Sequence, residues 1–120
     1  AFDILLKNKL PVRLTICGPM TGEIYHVLKV YERLKLRDSV SFLHAVTTQE
    51  KAFLMRKADI FVMPSKELET FGLTIVEAFA CGTPVIGTPV GAIPEILSLV
   101  DKRLIARSTK PEHLAASIAR

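Results

Sequence analysis

Short, almost continuously apolar segments alternate along this chain with segments whose apolar residues recur at helical spacing. The apolar segments cover residues 12–17, 40–43, 60–63 and 84–87, with a weaker one at 103–106. Continuous apolarity is typical of strands that are buried on both faces, as in a parallel sheet. One intervening segment places four apolar residues on a single helical face: Ile24, Val27, Leu28 and Tyr31. The alternation predicts a fold of the α/β class with parallel strands.

Capping signals mark two further helix starts. Thr47 with Glu50, and Thr109 with Glu112, have the spacing of a capping box, and Pro111 fits the first turn of the last helix. The order of elements predicts a doubly wound parallel sheet of Rossmann type, in a single domain over residues 1–120. Ligands bind such sheets at the carboxyl ends of the strands, so we expect the functional site in the loops after residues 17, 43, 63 and 87. The chain opens inside an amphipathic pattern without an initiator methionine, and we expect the domain to be truncated there.

Composition and charge argue against several classes of protein. The 16 basic residues exceed the 12 acidic ones, but they are scattered and not interleaved with aromatic residues, so a nucleic-acid surface is not expected. A mildly basic surface also suits a peripheral protein that works near anionic lipid or on phosphorylated substrates. Cys17 and Cys81 lack metal-type spacing and are expected to be reduced, buried thiols of a cytoplasmic protein. Three dispersed histidines and the absence of an Asp-x-Asp pair give no reason to expect a metal site.

The segment after the third apolar stretch has the most chemical character. A polar loop precedes a helix that is predicted to start near Phe71-Gly72 and to end at Gly82. Free N–H groups at such a start form an anion site, and Gly72 would let a ligand come close. Glu69 lies just before this start, and Glu77 lies among apolar residues of the helix, where a ribose diol is a natural partner for its carboxylate. Spacing alone leaves a second interpretation open, in which Glu69 is a loop charge and Glu77 is solvent-facing or salt-bridged.

The same segment resembles the motif of the retaining glycosyltransferases of family four, also called group 1. That motif has two glutamates separated by seven residues, here Glu69 and Glu77, with Phe-Gly-Leu between them and Glu-Ala-x-Ala-x-Gly-x-Pro-Val from the second glutamate. The strands at residues 14–18, 40–43 and 58–65 and the closing stretch 101–120 also resemble the family, so nearly the whole chain is covered. The resemblance implies the C-terminal, nucleotide-sugar-binding half of a two-domain GT-B architecture.

The resemblance implies a role for each glutamate. Glu77 would bind the ribose of a nucleotide-diphospho-sugar, and Glu69, the catalytic residue, would lie beside the transferred sugar. The implied activity is that of a hexosyltransferase, which moves the sugar to an acceptor hydroxyl with retention of anomeric configuration, without a metal or other cofactor. The leaving phosphate would help to deprotonate the acceptor, while Glu69 supports the charge that develops on the sugar.

The remaining site residues also follow from the resemblance. Backbone N–H groups of Phe71, Gly72 and Leu73, together with Thr74, would face the sugar and the diphosphate. Val46 would contact the base, in the loop that begins at His44.

Two positions depart from the family pattern. His44 stands where the family usually has glycine, which bears on the base pocket, and Gly91-Ala92 stands where Gly-Gly is frequent, which bears on loop geometry. The partners implied are the nucleotide-sugar donor and an N-terminal acceptor-binding domain, in a cytoplasmic protein of polysaccharide or glycolipid synthesis that is soluble or peripheral on the membrane. The alternatives are a non-catalytic nucleotide-sugar-binding or regulatory module, and a GT-B-related epimerase or phosphorylase.

Overall fold

The structure is a computed structural model of the 120-residue chain, and it describes residues 1–19, 22, 24–36, 38–67 and 69–120. Part of the loop after the first strand, Met20 and Thr21, lies outside the described residues, as does Leu68 in the loop before the glutamate-bearing helix. The chain divides into two compact units, one of residues 2–48 and one of residues 49–120 together with Ala1. That residues 1–120 form a single domain remains a prediction.

The first unit contains two helices and a pair of parallel strands. Its elements are α1 (Phe2–Lys7), β1 (Leu14–Cys17), α2 (Ile24–Arg33) and β2 (Val40–Leu43). Leu14 pairs with Val40 and Cys17 with Leu43, which fixes the register of the strands. The Tyr31 and Phe42 rings meet edge to face, with their centroids 5.1 Å apart, so the predicted apolar face of α2 contacts β2 through Tyr31.

The second unit repeats the strand-and-helix alternation. Its elements are α3 (Thr48–Lys57), β3 (Phe61–Met63), α4 (Leu73–Ala80), β4 (Val85–Gly87), α5 (Ile93–Ser98), a 3₁₀ turn (Lys102–Leu104) and α6 (Pro111–Ile118). β3 and β4 are parallel, with Phe61 opposite Val85 and Met63 opposite Gly87. The α/β class and the parallel strands predicted from the alternation are confirmed.

The core of the second unit lies between α4, α5 and β4. Ile75, Val85, Ile93 and Leu97 are all 0% exposed, and every residue of β4 is buried. Continuous apolarity in residues 84–87 therefore did indicate a strand covered on both faces. Within the described residues, no helix has both the length and the apolar composition needed to cross a bilayer.

In the stretch 103–106, predicted to be a weak strand, Arg103 and Leu104 instead belong to a 3₁₀ turn. The Asp101 carboxylate accepts a hydrogen bond from the Arg103 backbone N–H at 2.8 Å, and this cap holds the turn. The Arg103 side chain also donates to that carboxylate, which lowers the pKa of Asp101. The second half of the stretch does pair with β4, because Ile105 lies opposite Gly87 in a parallel bridge and the Ala106 N–H donates to the Gly87 carbonyl oxygen at 2.8 Å.

Two smaller predictions also need correction. The N-cap of α6 is Lys110 and not Thr109, because Pro111 takes the first helical position and keeps the residue before it extended, at φ −68° and ψ 138°. Cys17 and Cys81 are free thiols, but Cys17 is exposed and Cys81 only half-buried. Cys17 is exposed because it lies on the outward-alternating side of β1.

Candidate functional site

Helix α4 begins at a glycine that the backbone requires. Gly72 is the N-cap and has left-handed dihedral angles of φ 59° and ψ 32°, which favour glycine. A Cβ on Gly72 would lie 2.7 Å from Ile96 Cδ1 and 3.3 Å from Ile75 Cδ1. The expectation that Gly72 lets a ligand come close to the backbone stays a prediction. The space beside Gly72 is filled by side chains of α4 and α5, and glycine allows the two helices to pack closely.

The Glu69 side chain is held against this helix start. Its Oε1 accepts a hydrogen bond from the Gly72 backbone N–H at 3.0 Å, and its Oε2 lies 3.5 Å from the Ser65 hydroxyl, which donates to it. A carboxylate is favoured at the positive end of a helix. The Gly72 N–H is consequently engaged by Glu69, which corrects the expectation that this N–H faces a ligand.

The Glu69 backbone is fixed by the loop that follows β4. The Ala92 N–H donates to the Glu69 carbonyl oxygen at 2.9 Å. A Cβ on Gly91 would lie 2.0 Å from that oxygen, and Gly91 has a φ of 53°. The buried Thr88 hydroxyl donates to the Ser65 carbonyl oxygen at 2.6 Å. The loops after β3 and β4 are thus joined at the carboxyl edge of the strands, where a parallel sheet was expected to place its site.

Glu77 is in an ion pair that the sequence did not identify. Lys51 Nζ on α3 lies 2.7 Å from Glu77 Oε1 and 2.8 Å from Oε2. The two side chains are 34% and 43% exposed, respectively. The interpretation left open for Glu77, that it is salt-bridged, is confirmed. Lys51 lies one turn before Met55, the buried residue of α3, but this spacing does not indicate Glu77 as its partner.

The start of α4 also exposes apolar side chains. Phe71 is 75% exposed and Leu73 is 69% exposed, whereas Thr74 is half-buried and its hydroxyl donates weakly to Met63 Sδ at 3.6 Å. The structure therefore brings Glu69, Phe71, Gly72, Leu73, Thr74 and Glu77 together on one short stretch. Val46 is half-buried between β2 and α3 and belongs to the first unit.

The arrangement favours binding of polar ligands through carboxylates and backbone groups. An ionised carboxylate accepts up to about four hydrogen bonds, so Glu77 keeps acceptor capacity beside its two contacts with Lys51. Among the described residues, no three His, Cys, Asp or Glu side chains lie close enough together to bind a metal ion.

Comparisons with known proteins agree on one family. The family model described as "Glycosyl transferases group 1" matches residues 1–120. D-inositol 3-phosphate glycosyltransferase of Pseudarthrobacter chlorophenolicus is 42% identical over 93 residues, which is 74% of this chain and 22% of that protein. The same-named enzyme of Segniliparus rotundus is 33% identical over 118 residues, which is 96% of this chain and 26% of that protein. The chain thus spans about a quarter of the length of these curated relatives.

Two solved structures share the fold. Sucrose-phosphate synthase from Thermosynechococcus elongatus matches with a TM-score of 0.82 and 26% identity, over 98% of this chain and 31% of that one. Anabaena HepE, solved in complex with UDP, matches with a TM-score of 0.77 and 26% identity, over 98% of this chain and 33% of that one. Because the family model matches the whole chain and a relative is 33% identical over 96% of it, the chain belongs to the glycosyl transferases of group 1.

Proposed function

We propose that this chain forms the nucleotide-sugar donor site of a retaining glycosyltransferase, with the donor lying over the start of helix α4. The observation that supports this most strongly is the arrangement of two carboxylates around that start. Glu69 is held on the Gly72 N–H, and Glu77 is held by Lys51 yet remains partly exposed. Both positions are the glutamates of the motif by which the sequence resembles family four, and the family model covers the whole chain.

Glu77 is proposed to bind the ribose of the donor. Lys51 takes up two of the hydrogen bonds that the carboxylate accepts, and the remaining lone pairs suit the two hydroxyls of a ribose diol. The partial exposure of Glu77 leaves these lone pairs accessible.

Glu69 is proposed to act on the transferred sugar. Its carboxylate is fixed by Gly72 and its backbone by Ala92, so its charge is held in place before the donor binds. A fixed negative charge near the anomeric carbon stabilises the positive charge that develops there during transfer.

The diphosphate is assigned to the positive end of α4. Because Gly72 donates to Glu69, the remaining backbone donors are the N–H groups of Phe71, Leu73 and Thr74. The Thr74 hydroxyl would have to give up its weak bond to Met63 Sδ to donate to the diphosphate. Val46 is proposed to contact the base. UDP is the first nucleotide to test, since the Anabaena relative was solved with it, and a phosphorylated inositol is the first acceptor.

An N-terminal domain that binds the acceptor is proposed as the partner, in a cytoplasmic or membrane-peripheral protein. A non-catalytic nucleotide-sugar-binding module and a related epimerase or phosphorylase are the competing functions. Analysis of the reaction products distinguishes these functions, because only a glycosyltransferase consumes the nucleotide-sugar and joins its sugar to an acceptor hydroxyl.

Titration calorimetry on the protein that contains this chain tests the donor site. UDP, GDP and ADP are titrated into the unaltered protein, a Glu77→Ala variant and a Glu112→Ala control, since Glu112 is an exposed acidic residue on α6. We expect Glu77→Ala to weaken the free energy of nucleotide binding by about 1.5–3 kcal/mol, which is the range for a lost hydrogen bond to a charged group. Equal affinities in all three proteins would refute the assignment of Glu77.

A further inference from the structure

Lys51 contacts both oxygens of the Glu77 carboxylate. The two residues are 26 positions apart, on α3 and α4, and the ammonium group lies at nearly the same distance from both carboxylate oxygens. A carboxylate bound symmetrically in this way cannot rotate freely about its terminal bond. Its unused lone pairs therefore point in fixed directions.

The ion pair has little to contribute to folding. Both side chains are more than a third exposed, and pairs between exposed charges add little to the stability of a protein. Holding two long side chains in one geometry also costs rotamer entropy. Loss of this ion pair is therefore expected to change the stability of the fold little.

We propose that Lys51 is a positioning residue for the donor site, acting through Glu77. The proposal rests on the proposed function, in which Glu77 accepts hydrogen bonds from a ribose diol. With Lys51 present, the carboxylate is oriented before the nucleotide binds, and binding does not have to restrict it. Without Lys51, that restriction is imposed at the moment of binding, and affinity falls.

Two lysine variants on one helix test the proposal by titration calorimetry. Lys51→Met removes the ammonium group from Glu77, while Lys57→Met makes the same change at the exposed end of α3. The probe is whichever of UDP, GDP and ADP binds the unaltered protein most tightly. We expect Lys51→Met to lower the affinity for that nucleotide roughly three- to tenfold, which is the cost of ordering one flexible side chain. Lys57→Met should leave the affinity unchanged.

The 2′,3′-dideoxy counterpart of the same nucleotide separates positioning from a structural role. It lacks the hydroxyls that Glu77 is proposed to accept from, so Lys51→Met should change its affinity by less than twofold. If Lys51 has a structural role, Lys51→Met should lower the affinity for both nucleotides by the same factor, and that result would overturn the proposal. Lys51→Arg should recover most of the affinity for the ribose form, because a guanidinium group also binds a carboxylate through two hydrogen bonds.

A Glu77→Gln variant distinguishes failure of this inference from failure of the proposed function. If Lys51 acts through Glu77, adding Lys51→Met to the Glu77→Gln variant should lower the affinity for the nucleotide no further. If Glu77→Gln lowers the affinity for the nucleotide but Lys51→Met does not, only the positioning role of Lys51 is wrong. If neither variant changes the affinity, or none of the three nucleotides binds, the proposed donor site is wrong and the role of Lys51 with it.

Discussion

Glu69 and Glu77 lie on the same short stretch of chain, yet their surroundings differ. Glu69 is bound to a backbone N–H at a helix start and to a serine hydroxyl, whereas Glu77 is bound to a lysine from another helix. The first environment fixes a charge within a loop, as stabilisation of a reacting centre requires. The second leaves a carboxylate partly exposed and able to accept from further hydroxyls.

Replacing Glu69 by glutamine should affect turnover far more than nucleotide binding. The amide oxygen can still accept from the Gly72 N–H, so the loop should keep its geometry, but the negative charge is lost. We expect Glu69→Gln to lower kcat by about 10²–10³, the usual effect of removing one electrostatic contact to a transition state, while nucleotide affinity changes little.

Glu67→Gln is the matched control for that substitution, because Glu67 is an exposed acid of the same loop. Its kcat should equal that of the unaltered protein. A Glu69→Gln protein with normal kcat and lost nucleotide affinity would contradict the role given to Glu69.

Sequence alone indicated Glu69 and Glu77 as candidate site residues, but not the groups that bind their side chains. Glu69 and Glu77 stand out because they belong to a contiguous motif that can be recognised along the chain. Lys51 belongs to a different helix, and no local pattern connects it to a residue 26 positions away. The packing role of Gly72 could not be predicted, since its closeness to Ile96 arises only once α4 and α5 pack together.

At the scale of elements, the loop after β4 should control the position of Glu69. A methyl group at Gly91 would lie 2.0 Å from the Glu69 carbonyl oxygen, a distance that forces the two loops apart. We expect Gly91→Ala to lower kcat by roughly 10²-fold, since displacements near 1 Å have effects of that size. Steady-state kinetics with the nucleotide-sugar donor would measure it.

Gly82→Ala is the control for Gly91→Ala. Gly82 also has a positive φ, of 80°, but nothing lies within 4 Å of the position that its Cβ would take. Both variants should lose stability, by about 1–2 kcal/mol from the left-handed backbone alone. Only Gly91→Ala should lose turnover, and an equal loss of kcat in both would show that backbone strain and not the Glu69 contact is responsible.

Thr83 joins the end of α3 to the start of β4. Its side chain is buried, and its hydroxyl donates to the Met55 carbonyl oxygen. The Ala58 N–H also donates to that oxygen, so a Thr83→Val variant does not leave it without a partner. We expect Thr83→Val to lower the free energy of unfolding by about 0.5–1.5 kcal/mol, measured by urea titration. A loss well above that range would mean that the bond holds α3 in place.

The elements themselves were largely predictable, with errors where tertiary contacts decide. Buried strands such as residues 85–87 follow from continuous apolarity, and the end of α4 follows from Gly82, whose N–H donates to the Phe79 carbonyl oxygen. The stretch 103–106 is apolar enough for a strand, but the Asp101 side chain caps a 3₁₀ turn there. A side-chain cap of this kind competes with strand pairing and leaves no periodic signal.

At the scale of the whole molecule, this chain spans about a quarter of its curated relatives. A transfer reaction requires an acceptor site facing the donor, and we predict that the purified 120-residue chain does not transfer sugar by itself. The assay compares it with a full-length D-inositol 3-phosphate glycosyltransferase, with a thermal melt to verify that the chain is folded. Transfer by the folded chain at a rate near that of the relative would contradict a two-domain reaction.

Hydrogen–deuterium exchange tests directly whether the nucleotide binds over the start of α4. The protein that contains this chain is compared with and without saturating nucleotide, using the one that binds most tightly among UDP, GDP and ADP. We predict slower exchange in peptides covering residues 65–80, which include the start of α4, and unchanged exchange in residues 108–120, which include α6. Protection confined to α6, with α4 unchanged, would contradict the donor site proposed for this chain.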